Sequence, residues 1–268
     1  MKAETKYKLQ YMIMGWIKPI LKPLTKNNTY AINFGDVLIK IKGGLGFLQA
    51  RHCLTPEENF LLSLDLKGKT IYDIGGYIGV LTVFFAKTSG DAGKVITFEP
   101  NPQNYFRIKE NVALNDLNNV QILNLGITDK QGMKTLVYRS NVTGTGSMED
   151  GIQQQILKEK KVKSLEVQVD TFDNYIEINK LPKPDFIKID VEGVEYNALL
   201  GMSKTISSYK PYLYIEVHGV DEEGKFKNIR KIVEFLDSHQ YSIYHIESEQ
   251  LVTNKNSQIA KEGHLFCK

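Results

Sequence analysis

Short apolar runs recur along this chain, separated by longer stretches in which apolar and polar positions mix. The runs are Ile71-Tyr72, Lys94-Val-Ile-Thr-Phe98, Val120-Gln-Ile-Leu123, Asp185-Phe-Ile-Lys-Ile-Asp190 and Pro211-Tyr-Leu-Tyr-Ile-Glu216. They are too short for buried helices, and their near-continuous apolar character marks strands covered on both faces. The stretches between them carry helix signals. Thr55-Pro56-Glu57-Glu58 supplies an N-cap threonine, a proline at the first helical position and acids in the first turn, for a helix to about Leu64. Val80, Leu81, Val83, Phe84 and Phe85 begin a second helix; residues 103–115 form a third; Thr171 caps a fourth over 172–179; Glu195, Tyr196, Leu199 and Leu200 begin a fifth; and 229–238 form a sixth. Strands alternating with helices predict an α/β chain built on a parallel doubly wound sheet, to which 133–138, 164–169, 241–246 and 264–267 add strands.

The pattern divides the chain into an N-terminal extension, 1–54, and a main domain, 55–268, with an inserted loop around 139–163. In the extension, residues 9–21 are mostly apolar, flanked by lysines and closed by Pro19 and Pro23. They are too interrupted to span a bilayer, which takes about 20 apolar residues, and no small-residue cleavage site follows them. Two readings stand: a helix packed on the domain or on a second subunit, and an interfacial helix making peripheral membrane contact. Residues 30–41 read as a hairpin around Gly35-Asp36. The insertion is rich in Gly, Ser and Thr over 141–151, then carries Lys158, Lys160, Lys161 and Lys163, and reads either as a lid over a site or as an idle surface loop.

Composition adds little. At 268 residues and a net charge of +3, the chain suits one soluble α/β domain and makes no case for a nucleic-acid partner. Cys53 and Cys267 are isolated, which argues against structural zinc and for a reducing, cytoplasmic setting. Gly219-Val-Asp-Glu-Glu-Gly-Lys225 imitates a phosphate loop, but Phe226 replaces the required hydroxyl residue and three acids inside it repel phosphate.

The candidate chemistry lies at strand ends. In such sheets ligands bind at the carboxyl ends of strands, and Asp73, Glu99, Asp190 and His218 all fall there. After Asp73, Gly75 and Gly76 form a turn leading to a helix start at Gly79. The dinucleotide spacing of glycines fails here, and Asp73-x-Gly75-x-x-x-Gly79 instead resembles the first motif of S-adenosylmethionine (SAM)-dependent methyltransferases. SAM has an amino-acid end and no pyrophosphate. Its carboxylate suits a helix N-terminus, and its ammonium suits Asp73. Glu99, twenty residues beyond Gly79 and followed by Pro100-Asn101-Pro102, stands where a second strand offers a carboxylate to a ribose. Near Gly126, in Asn124-Leu-Gly-Ile127, an adenine would lie against apolar side chains.

Four blocks carry a closer resemblance: Asp73-Ile-Gly-Gly-Tyr-Ile-Gly79, Phe98-Glu-Pro-Asn-Pro102, Ile187-Lys-Ile-Asp-Val-Glu-Gly193 continued by Glu195, and Ile215-Glu-Val-His218. From about Glu57 to His218 the chain resembles the FkbM-type methyltransferases, a SAM-dependent family, although members usually carry Ala-Asn where Gly76-Tyr77 stand. The resemblance implies a Rossmann-like class I methyltransferase fold: a seven-stranded, mostly parallel sheet with helices on both faces and an antiparallel last strand. It also implies O-methylation of hydroxyl groups on sugars or natural products. It places Asp73, Gly75 and Gly79 at the amino-acid end, Glu99 at the ribose, and Asp190 and His218 at the reacting centre.

A hydroxyl is a poor nucleophile, so a general base is expected. His218 is one candidate because a free imidazole titrates near neutral pH; Asp190 competes for the role or orients the acceptor. Asp190, Glu192, Glu216 and His218 would alternatively gather a divalent cation, which strand alternation alone does not decide. The rival functions are a nucleic-acid methyltransferase, which lacks an Asn-Pro-Pro-aromatic motif here, and a non-catalytic SAM-binding scaffold, against which the intact acids and glycines argue.

Overall fold

A computed structural model describes residues 28–43, 54–140 and 142–268. The apolar segment 9–21 and most of the loop after the first hairpin lie outside the described residues, as do Pro19, Pro23 and Cys53. The chain opens with the hairpin β1 (Asn28–Phe34) and β2 (Val37–Gly43), then α1 (Pro56–Ser63). Alternation follows: β3 (Thr70–Ile74), α2 (Val80–Ser89), β4 (Lys94–Phe98), α3 (Pro102–Leu114) and β5 (Val120–Leu123). Next come β6 (Gly126–Ile127), β7 (Gly132–Arg139), β8 (Val142–Ser147), α4 (Asp150–Ile156) and β9 (Val162–Asp170). The second half holds α5 (Phe172–Ile178), β10 (Phe186–Ile189), α6 (Glu195–Leu200), α7 (Ser203–Tyr209), β11 (Tyr212–Glu216), α8 (Glu222–Ser238), β12 (Ile243–His245), β13 (Gln250–Val252) and β14 (His264–Cys267).

The main sheet runs β13-β12-β14-β11-β10-β3-β4-β5. Neighbours from β11 to β5 are parallel, and β14 inserts antiparallel between β11 and β12. This is the Rossmann-like arrangement, with eight strands rather than seven. The extra one, β13, is a three-residue edge strand folded back on β12, too short to leave a periodic trace. A second sheet, β6-β9-β7-β8, covers part of the first, and β8 and α4 fill the stretch that the sequence reads as a loop. Gly219 to Lys225 is a helix entry, not a phosphate loop: Asp221 caps α8 by accepting from the Gly224 N–H. Thr55 and Glu58 form a reciprocal capping box at α1. Among the described residues no helix is long and apolar enough to cross a membrane.

Strand alternation sorts the core into two layers. Tyr72, Ile74, Ile187 and Ile189 face Phe172, Leu199 and Ile232 on one side. Ile71 and Phe186 face Phe84, Phe85, Leu61 and the hairpin's Ile39 on the other. Asp73 and Lys188 are registered cross-strand partners and share this second face. Both are buried. The Lys188 Nζ lies 3.3 Å from Asp73 Oδ1 and 3.2 Å from Asp190 Oδ2, and donates to the Gly75 carbonyl at 2.7 Å. The Thr82 hydroxyl donates to Asp73 Oδ2 at 2.6 Å. Burial works against the lysine's charge, but Asp190 and Asp73 more than reverse it and hold its pKa above the ordinary lysine value. Removing one partner of such a group strands the others. Lys188→Met is expected to lower stability by about 3–5 kcal/mol, read by urea unfolding at neutral pH; a loss below about 1 kcal/mol would show that the two carboxylates do not need it.

Candidate functional site

A cleft open to solvent lies at the carboxyl ends of β3, β4 and β10. Its near wall is the turn after β3. Gly75 has φ of 86°, and a Cβ there would stand 1.8 Å from the Asp190 carbonyl oxygen. The backbones of the two loops therefore touch, which glycine alone permits. The Gly75 and Gly76 N–H groups donate to the Phe98 carbonyl at 2.9 and 3.2 Å, tying the turn to β4. Phe98, Leu125, Gly126 and Ile127 supply an apolar wall, while Leu136, Gly144, Gly146 and Met148 reach over the cleft from the second sheet. At Gly144 any Cβ would sit 2.8 Å from the Tyr77 ring, so β8 is pressed onto the turn.

Glu99 closes β4 inside this cleft. Its Oε2 accepts from the Tyr77 N–H at 2.8 Å, and its Oε1 from the Asn101 N–H at 2.9 Å and Asn104 Nδ2 at 3.3 Å. Burial outweighs these donors and pushes its pKa up to about 7. Asn101 caps α3 by accepting from the Gln103 N–H at 3.0 Å. Its Nδ2 is buried in the cleft wall without a hydrogen-bond partner among the described residues. A buried donor of that kind normally has an acceptor.

The second group of charges stands beside Asp190. His218 Nδ1 lies 2.9 Å from Glu195 Oε1, and its Nε2 faces Glu216 at 3.4 Å, Glu192 at 3.8 Å and Asp190 at 4.0 Å. Glu195 is fully buried and fixed by the Gly193 N–H and Asn228 Nδ2, each at 2.8 Å. Burial opposes charge on the imidazole, but the bonds to Glu195 and Glu216 and the nearby carboxylates push its pKa up to about 12. Burial raises Glu192 to about 7 and also lifts Asp190, against the pull of Lys188. Burial pushes Glu216 in the same direction, yet its bonds to His218 and His264 hold it well below the usual carboxylate range. Asp190, Glu192 and His218 bring three ligand-type atoms within 4.8 Å of one another. A divalent ion there would have to displace the Nε2 proton, and Asp190 already faces the Lys188 ammonium.

The structure thus brings Gly75, Glu99, Asn101, Gly126 and Asp190 together in one cleft, with His218 4.0 Å from Asp190. The surroundings of Asp73, Gly76, Gly79 and His218 differ from those of the cleft-lining residues. Asp73 does not face the cleft: it shares the strand face of Ile71, turns toward α2, and has its oxygens committed to Thr82 and Lys188. Gly76 and Gly79 also serve the interior, making room for Thr97 and Ile108. His218 does not have a near-neutral pKa, because carboxylates surround it. Sequence reasoning missed Lys188, Asn104 and the role of Tyr77. Lys188 had left a signal, as a lysine inside a doubly covered strand needs buried partners.

The Methyltransferase FkbM domain matches residues 73–243, more than half of the chain. The chain belongs to the FkbM methyltransferase family. The hexuronic acid methyltransferase AglP of Haloferax volcanii is 28% identical over 161 residues, 59% of each chain. Methyltransferase 1 of Beauveria bassiana is 24% identical over 176 residues, 61% of this chain and 70% of that one. The methyltransferase FkbM of Methylobacillus flagellatus shares the fold at a TM-score of 0.50 and 18% identity, covering 80% of this chain and 50% of that one. The chain therefore spans 59% to 70% of these two curated relatives and half of the solved structure. The family's cofactor is SAM, and the cleft fits it. A carboxylate and an unpartnered amide donor suit a ribose, and the apolar wall suits an adenine.

Proposed function

We propose that this FkbM methyltransferase moves the methyl group of SAM to a hydroxyl of a sugar or small natural-product acceptor. The observation that carries the reading is that two carboxylates line one cleft, Glu99 from the end of β4 and Asp190 from the end of β10; in this reading Glu99 serves the nucleoside and Asp190 the reacting group. The likeness to a hexuronic acid methyltransferase supports a sugar acceptor.

When bound, SAM supplies a methyl on a sulfonium, an already activated leaving group. Glu99 and Asn101 would hold the ribose, and the wall from Leu125 to Ile127 the adenine. The turn at Gly75 and the start of α2 would receive the amino-acid end, with Asp73 supporting that turn from beneath through Lys188. Alignment and exclusion of water supply much of the rate in such a displacement. Asp190 accepts the hydroxyl proton: it lines the cleft, and burial lifts its pKa toward the range of a useful base. His218 already carries its proton, so it orients Asp190 and the acceptor as an imidazolium.

Incubation with labelled SAM and panels of neutral sugars, amino sugars, hexuronic acids and RNA, followed by mass analysis, tests the reading; a methyl on RNA alone would overturn it. Asp190→Asn is expected to lower kcat at least about 100-fold while SAM binding holds, and His218→Gln to lower it less. A larger loss for His218→Gln would restore the histidine as base. The Glu99 carboxyl ionises near pH 7, and the ionised form accepts both ribose hydroxyl protons. SAM affinity is therefore expected to strengthen as pH rises from 6 to 8, by calorimetry, and Glu99→Gln to flatten that dependence.

A further inference from the structure

Beyond Glu216 the alternation of acid and imidazole continues away from the cleft, through groups for which the proposed reaction has no use. His264, on β14, is the registered cross-strand partner of Glu216 on β11. Its Nε2 lies 3.6 Å from Glu216 Oε2 and 3.7 Å from Glu57 Oε1, and its Nδ1 2.5 Å from Glu247 Oε1. The other Glu247 oxygen lies 3.1 Å from His245 Nε2 and accepts from the His264 N–H at 2.9 Å. His245 Nδ1 ends the chain at Ser248 Oγ, 2.7 Å away. The Tyr214 ring stacks on His264, with centroids 5.2 Å apart. Both histidines are buried.

A histidine that only fills space needs one acceptor. His264 is faced by three carboxylates from three elements: Glu57 from α1, Glu216 from β11 and Glu247 from the turn after β12. His245, on β12, stands behind Glu247, and Tyr214 covers the ring from β11. Glu216 in turn has an imidazole at each oxygen, His218 at Oε1 and His264 at Oε2. Its side chain is held from behind and aimed at the charges beside Asp190. We propose that His264 is a positioning residue for methyl transfer: its positive charge keeps Glu216 ionised and pointed at His218, and so sets the pH at which Asp190 becomes available as a base.

This rests on the methyl-transfer reading above. The bonds to Glu216 and Glu247 overcome burial and push the His264 pKa up to about 10, which agrees with a permanent charge at neutral pH. Glu247, bonded to both His245 and His264, stays ionised below the usual carboxylate range despite its burial. The sign of the effect follows. Without a cation at position 264, Glu216 keeps its proton to higher pH; a neutral Glu216 no longer repels the Asp190 carboxylate, so Asp190 ionises at lower pH and the acid limb of the kcat profile moves downward.

The test compares kcat against pH at saturating SAM and acceptor for the unsubstituted protein, His264→Gln and His264→Lys. The glutamine variant is expected to shift the acid limb down by about one pH unit, and the lysine variant to bring it back. Profiles that superpose, or a uniform fall in kcat without change of shape, overturn the proposal. An unsubstituted protein that methylates none of the acceptors removes the reading beneath it, an outcome distinct from superposed profiles. Should the variants not fold, imidazole ¹⁵N resonances of the intact protein decide. His264 is expected to remain protonated past pH 8, and deprotonation near pH 6.5, the free-imidazole value, overturns the proposal.

Discussion

The site is built around a lysine ammonium enclosed by protein. Lys188 sits in the middle strand of the sheet, 3% exposed, with Asp73 on one side and Asp190 on the other. It also donates to the Gly75 carbonyl. One cation therefore ties together the end of β3, the turn that follows it and the end of β10. Those three segments form the cleft's near wall. An ion pair this deep is a weak source of stability, since desolvation offsets most of its attraction. Its value is geometric. Each of the three segments has one low-energy position relative to the others, because any other leaves a charge or a carbonyl buried without a partner.

How much of this was legible follows from what each signal measures. The strand and helix order could be read because doubly covered strands leave short apolar runs, and the hairpin, the capping box at Thr55 and the helix at Phe172 all fell within a residue or two of their places. The surroundings of Asp73 were not legible, because position in a motif says where a residue stands along a strand, not which face it uses. Strand parity carried that second piece of information: Ile71 faces α2, so Asp73 does too. The start of α8 was hidden by glycines at 219 and 224, and α4 by a lysine-rich stretch with one buried apolar residue, Ile156. Glu99, Asn101 and Asp190 were legible because the end of a parallel strand has little freedom in where it points.

Charge balance explains what no motif could. Asp190, Glu192, Glu195 and Glu216 crowd one imidazole, with Lys188 beside Asp190 and His264 beside Glu216 as further cations. A histidine in such company gives up its usual role as a near-neutral titrating group and becomes a fixed cation. Burial lifts the Asp190 and Glu192 carboxyls instead, which is why the proposed base is a carboxylate. Residue identity alone would assign the roles the other way round. The assignment depends on neighbours that come from four separate segments, and Glu195, fully buried and bonded to a backbone N–H and to Asn228, keeps the imidazole in its place.

The same reasoning bears on which acceptors the cleft's open end tolerates. Asp190 and Glu192, both partly exposed, line it, and Glu216 stands behind them on the other side of His218. A second carboxylate brought there by a uronic acid would meet like charge at short range, with the His218 imidazolium already shared among several carboxylates and no arginine or lysine among the described residues lining the cleft to receive it. A neutral or amine-bearing sugar would meet acceptors matched to its hydroxyl and ammonium donors. Likeness in sequence to a hexuronic acid methyltransferase therefore does not carry its acceptor over to this chain, because the charges beside Asp190 decide what can approach.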